Sequence, residues 1–93
     1  MMKVYISGPM TGYENLNREA FFEAEEKLEA MGWESVHTVG LPDGLAYEKY
    51  LEKSLEFLKG CDVICLLEGW EESKGALMEY GYAKSRGLPE IRL

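Results

Sequence analysis

Short apolar runs alternating with stretches of helical periodicity predict an α/β fold. The expected form is a small flavodoxin-like or Rossmann-like three-layer sandwich. Its parallel sheet would have about four strands in the order 2-1-3-4, with helices on both faces. Three observations carry this. The candidate elements alternate β-α-β-α-β-α-β along the chain, which implies right-handed crossovers between parallel strands. The strand candidates are continuous apolar runs rather than strict alternations, as strands covered on both faces require. Each helix candidate stops at a glycine: Gly32, Gly60 or Gly87. The 93 residues are expected to form a single domain, 1-93, because a chain of this length has no room for a second core.

Residues 3–7 (Val4, Tyr5 and Ile6 among them) read as the first buried strand, closed by Gly8-Pro9. A loop over 8–16 follows, with Gly12 and Asn15 as turn formers. Asn17 is placed to cap a helix over 18–31, whose Ala20, Phe21, Ala24, Leu28 and Met31 recur at helical spacing. Residues 33–38 form a second, shorter strand candidate, and Gly40-Leu41-Pro42-Asp43-Gly44 reads as a loop. The second helix is expected over 47–59, with Tyr50, Leu51, Leu55 and Leu58 on one face. A third strand over 62–67, a third helix over 74–86 and a short last strand over 90–93 complete the chain. In a sheet of order 2-1-3-4 the loops after the first and third strands lie side by side, where doubly wound folds bind their ligands.

The balance of 17 acids against 10 bases, a formal charge of −7, argues against a nucleic-acid polymer as partner. A single nucleotide remains compatible, because one phosphate can be held by backbone amides at a helix N-terminus. The N-terminal run Met1 to Ile6 is too short for a signal-peptide core, and no apolar run approaches membrane-spanning length. Cys61 and Cys65, roughly 13 Å apart if extended, are beyond disulfide reach and read as reduced core thiols of a cytoplasmic protein. So short a chain buries its core thinly, so a homodimer or higher homo-oligomer is expected. No spacing of His, Cys or Asp suits a metal, and no cofactor is expected. No Ser-His-Asp or Cys-His set can be assigned.

The candidate chemistry lies in the two loops. Glu79 falls in the first half of the third helix, flanking an apolar stripe of Ala76, Leu77, Tyr80 and Ala83. There it is either a carboxylate kept ionised by the helix dipole or an ordinary solvated glutamate. Ser73 and Gly75 open the same helix and suit a phosphate or sugar-hydroxyl site; an N-cap serine is the alternative. Gly8, Pro9, Met10, Thr11 and Gly12 match neither a P-loop nor a dinucleotide fingerprint, but glycine at a strand end admits close approach of a ligand. Tyr5 could reach a carboxylate at the switch point or serve simply as a core tyrosine. Met10, Trp70 and His37 are candidate contacts to an aromatic base, although Met10 and Trp70 equally suit loop packing and His37 has no evident partner. Asp62, at the other end of its strand, reads as structural.

Taken together, Val4-Tyr5-Ile6-Ser7-Gly8-Pro9-Met10-Thr11-Gly12, Cys61-Asp62-Val63-Ile64, Gly69-Trp70-Glu71-Glu72-Ser73-Lys74-Gly75-Ala76 and Glu79-Tyr80-Gly81-Tyr82-Ala83 resemble the nucleoside 2-deoxyribosyltransferase-like superfamily. The likeness spans nearly the whole chain and is greatest to the short bacterial and phage branch, related to 2′-deoxynucleoside 5′-monophosphate N-glycosidases. The resemblance implies an enzyme that cleaves the N-glycosidic bond of 2′-deoxynucleosides or their 5′-monophosphates. By position it makes Glu79 the nucleophile, Tyr5 its orienter, Ser73 the phosphate holder and Gly8 to Gly12 the phosphate and sugar loop. Ser54 stands where the family usually has an aspartate on the second helix. That departure leaves open a catalytically weak or inactive nucleotide-binding or sensing protein built on the same pocket. With so few residues after the fourth strand, the segment that longer transferases lend to a neighbouring subunit is not expected, and hydrolysis is expected over base exchange.

Overall fold

A computed structural model describes residues 2–39, 41 and 45–93; the expected loop at Gly40, Pro42, Asp43 and Gly44 lies outside the described residues. Four strands form one sheet: β1 (Lys3–Ser7), β2 (Glu34–Val36), β3 (Val63–Leu66) and β4 (Glu90–Ile91), in the order β2-β1-β3-β4. Every pairing is parallel, with Tyr5 opposite Val36 on one side and Ile64 on the other. Three α-helices connect them: α1 (Arg18–Ala30), α2 (Tyr47–Lys59) and α3 (Lys74–Ser85). The expected order and alternation are therefore those observed. The strands are shorter than the apolar runs suggested, since residues 33, 37 and 38 of the second run and Asp62 and Leu67 of the third fall outside the ladder.

The pleat of β1 divides the core. Val4 and Ile6, with Val63 and Cys65 of β3, face α1 and pack on Phe21, Ala24 and Leu28. Tyr5, with Ile64 and Leu66, faces the other way, onto Leu58 of α2 and Ala83 of α3. Strand side chains alternate between faces, so Ser7 falls on the Tyr5 side, beneath α2 and α3. One helix covers one face and two cover the other, the arrangement that makes both faces of a parallel sheet apolar.

Several local expectations are revised. Met31 is exposed at the end of α1, and Leu77 is exposed on α3, whose buried face is Ala76, Glu79 and Ala83. Asn17 occupies the N-cap position of α1 in a left-handed conformation without a capping bond; its Nδ2 donates instead to the Pro9 carbonyl at 2.9 Å. Asp62 accepts the Lys3 backbone N–H at 3.0 Å, tying the starts of β3 and β1 together. Both cysteines are free and buried, and burial pushes each thiol up to about 11. That keeps them protonated and unreactive at neutral pH.

Candidate functional site

The C-terminal ends of β1 and β3 converge closely. A Cβ built on Gly8 would lie 2.7 Å from the Leu67 Cβ, so only glycine lets the two strand ends approach in this way. Gly69, after β3, suits its left-handed conformation at φ +87, and a Cβ there would meet the Tyr13 hydroxyl at 2.7 Å. The chain then turns through Trp70–Glu72 into α3, with Ser73 as N-cap: its Oγ accepts the Ala76 N–H at 3.2 Å.

Above these strand ends lies a cleft of about 330 Å³. Gly8, Met10 and Thr11 line it from the first loop, Ser73, Gly75, Ala76 and Glu79 from α3, and Thr38, Tyr47 and Tyr50 from the opposite side, with Leu16, Val39, Leu41 and Leu45 supplying apolar wall. Glu79 is only 4% exposed. Its carboxylate is held by two hydroxyls from β1: Tyr5 donates to Oε2 at 2.7 Å and Ser7 to Oε1 at 2.6 Å. Ser54 of α2 is fully buried behind it. The Ser54 hydroxyl has one proton, which it donates to the Leu51 carbonyl at 3.0 Å; turned to Glu79 instead, the same proton would favour the ionised carboxylate.

Burial pushes the Glu79 carboxyl up from its ordinary value, while the hydrogen bonds from Ser7, Tyr5 and Ser54 pull the other way and are outweighed. The Tyr5 phenol stands well above its usual value because it is buried and lies against the Glu79 charge, so it remains a donor. Tyr50 is raised by burial and by Glu79, against a lowering hydrogen bond from Thr38. The Tyr50 and Thr38 hydroxyls are bonded to each other, and Tyr50 also contacts the Met10 sulfur. A buried, hydroxyl-clamped carboxylate at the floor of a largely apolar cleft can attack or stabilise an electron-poor carbon.

Of the residues singled out in the sequence, Glu79, Tyr5, Ser73, Gly75, Gly8, Met10 and Thr11 meet in or beneath this cleft. Pro9 and Gly12 do not line it: Pro9 turns towards Asn17 and Gly69. Trp70 and His37 are also elsewhere. The Trp70 ring packs on Tyr80 with centroids 4.7 Å apart, and His37 Nε2 pairs with Glu25 Oε2 at 2.9 Å between the edges of Phe21 and Phe22. His37 thus has a partner, on the α1 side. Ser7, Thr38, Tyr47 and Tyr50 were not anticipated. The signal for Ser7 was available, since it stands two residues after Tyr5 and must share its face. Tyr50 stands four residues before Ser54, one helical turn away on the same side of α2.

Among the described residues no group of His, Cys, Asp and Glu could hold a metal ion, and no helix is long and apolar enough to cross a membrane.

This sheet order is the Rossmann-like fold of the deoxyribosyltransferases. A 2-desoxiribosyltransferase from Leishmania mexicana superposes with a TM-score of 0.79 at 15% identity, covering 100% of this chain and 64% of that one. The Clostridium botulinum CMP N-glycosidase BcmB superposes with a TM-score of 0.70 at 18% identity, covering 97% of this chain and 69% of that one. The present chain therefore spans about two thirds of the length of either enzyme. By sequence, it belongs to the family described as Domain of unknown function (DUF4406), which matches residues 2–91. No curated protein matches it.

Proposed function

We propose that the protein cleaves the N-glycosidic bond of a nucleoside or nucleotide, with a 2′-deoxy sugar as the expected substrate and water as the expected acceptor. Glu79 is the nucleophile that captures C1′ as the base departs, and Tyr5 and Ser7 orient it. Ser73 and Gly75 at the start of α3, with Gly8, Met10 and Thr11, hold the sugar and its 5′ substituent. The observation that carries this reading is the buried Glu79 carboxylate, clamped at 2.6 and 2.7 Å by two hydroxyls of β1 at the floor of the cleft. Cleavage builds oxocarbenium character at C1′, which such a carboxylate stabilises and then traps. The Leishmania transferase and the Clostridium glycosidase, each similar in fold, lend support from the kind of reaction in their names.

The test is base release from deoxy- and ribonucleosides and their monophosphates, followed by chromatography for wild type and Glu79→Gln. Wild type should release free base, and the variant should fall by a factor of about 10³ or more, as expected on loss of an activated nucleophile. Equal release by both proteins would remove Glu79 from the reaction.

A second reading is favoured by Ser54. With serine behind Glu79, Glu79 is the only acidic side chain among the described residues that lines the cleft. The same pocket would then bind a nucleotide without cleaving it. Thermal stabilisation by nucleotides without any product would favour this reading.

A further inference from the structure

Glycosidic cleavage uses two groups: one to meet C1′, and one to give the departing base a proton and later take a proton from water. The cleft offers Glu79 for the first task and, among the described residues, no second carboxylate for the other. It does offer a phenol. Tyr50 lines the cleft with Glu79 and projects from α2 one turn before Ser54, so it lies on the same side of that helix. Its hydroxyl bonds the Thr38 hydroxyl, itself buried, and the Met10 sulfur, and both Thr38 and Met10 also line the cleft. The polar tip of this half-buried ring is thus fixed at the cleft wall rather than free in solvent.

We propose that Tyr50 is the acid–base residue of this site, a phenol in the role of a second carboxylate that no described residue supplies; the inference rests on the glycosidase reading above. In the first step the bond from C1′ to the base nitrogen breaks and its electron pair stays on the base. The Tyr50 proton passes to that base, and a Glu79 oxygen bonds C1′. One negative charge moves from Glu79, now an uncharged ester, to the Tyr50 oxygen. In the second step water attacks C1′, the Tyr50 phenolate takes its proton, and the Glu79 carboxylate leaves. The charges couple in a useful direction. Burial holds the proton on Tyr50 and ionised Glu79 adds to that hold before the reaction; esterification removes the Glu79 share when the phenolate must form. The Thr38 hydroxyl, already bonded to Tyr50, can donate to the phenolate.

The experiment compares a natural deoxynucleoside with a nitrophenyl deoxyriboside, whose leaving group needs no proton, for wild type, Glu79→Gln, Tyr50→Phe and Thr38→Val. Tyr50→Phe should lose about 10²-fold or more on the nucleoside, the usual contribution of general acid catalysis. On the nitrophenyl substrate it should still give a burst of one nitrophenolate per site, followed by slow turnover that azide accelerates. Thr38→Val should show a smaller loss confined to the nucleoside. Equal losses on both substrates, with no burst and no azide rescue, would overturn the role of Tyr50 while leaving Glu79 as nucleophile. If wild type cleaves neither substrate and none of the monophosphates of the base-release test, the glycosidase reading falls and this inference with it.

Discussion

Glu79 concentrates the physics of the site because it is a charge in a place that disfavours charge. Two hydroxyl donors at hydrogen-bond distance compensate some of the desolvation, but burial wins and the carboxyl titrates above its ordinary value. An acid whose folded pKa is raised binds its proton more tightly in the native state than in the unfolded chain. Its contribution to stability is therefore full below the ordinary carboxylate value and is lost as pH rises through the raised folded value. Glu79→Gln has no such titration. Urea unfolding across this pH range should therefore show wild type losing stability relative to the variant as pH rises. Parallel curves would mean that Glu79 is not under this strain. At the residue scale, the sequence was legible where chain direction and pleat decide the outcome. Tyr5 on an inner strand and Glu79 near a helix start had to meet if the sheet order was right. Trp70 and His37 were misplaced because the direction of a single loop side chain depends on neighbours distant in sequence. For His37 these are Glu25 and the two phenylalanines of α1. Tyr50 reads in the sequence as one more apolar position on α2, since nothing in a helical pattern separates a core tyrosine from one whose hydroxyl reaches a cleft.

The elements themselves were largely legible, because apolar runs of strand length and glycine stops are local signals. Their edges were not, because β2 and β4 end where their pairing with β1 and β3 stops, at Tyr5 and Cys65, a property of the sheet rather than of the residue. The approach to α1 was also hidden. Asn15, Leu16 and Asn17 are consecutive left-handed residues in a short turn, at φ 52, 55 and 61; asparagine tolerates this conformation, but nothing in the sequence marks Leu16 for it. The turn brings Leu16 to the cleft wall, and Asn17 anchors it through the Pro9 carbonyl. For non-glycine residues this conformation costs roughly 1–2 kcal/mol each, less for asparagine. Glycine meets no such penalty, though it gives up more chain entropy on folding. Asn15 is exposed and its side chain makes a long bond of 3.5 Å to Arg18. Asn15→Gly should therefore leave stability unchanged or raise it by up to about 1 kcal/mol. Leu16→Gly should relieve more strain but open the cleft wall. Chemical denaturation measures the first effect, and a loss above about 1 kcal/mol for Asn15→Gly would mean that the asparagine side chain, not the turn, holds this segment.

At the scale of the whole molecule the dominant fact is the excess of negative charge, −7 on 93 residues, and its uneven placement. On α1, Glu25 and Glu29 stand four residues apart, and on α2 Glu48, Glu52 and Glu56 follow one another at the same spacing. Like charges at that spacing repel by a few tenths of a kcal/mol per pair. Two short-range ion pairs, Lys27 with Glu23 and Lys49 with Glu52, offset only a fraction of this, and exposed pairs contribute little. Folding gathers these charges onto a small surface, while the unfolded chain spreads them apart. Salt should therefore stabilise the native state, because at about 0.15 M the screening length is only about 8 Å. Thermal unfolding in sodium chloride from roughly 0.01 to 0.3 M should show Tm rising by a few degrees and then levelling once neighbouring charges are screened. A specific anion site would behave otherwise: phosphate would raise Tm at millimolar concentration, where screening by an equal ionic strength of chloride does nothing. If Tm instead falls with chloride, the exposed ion pairs outweigh the repulsion. The acidic helices would then contribute to stability rather than oppose it.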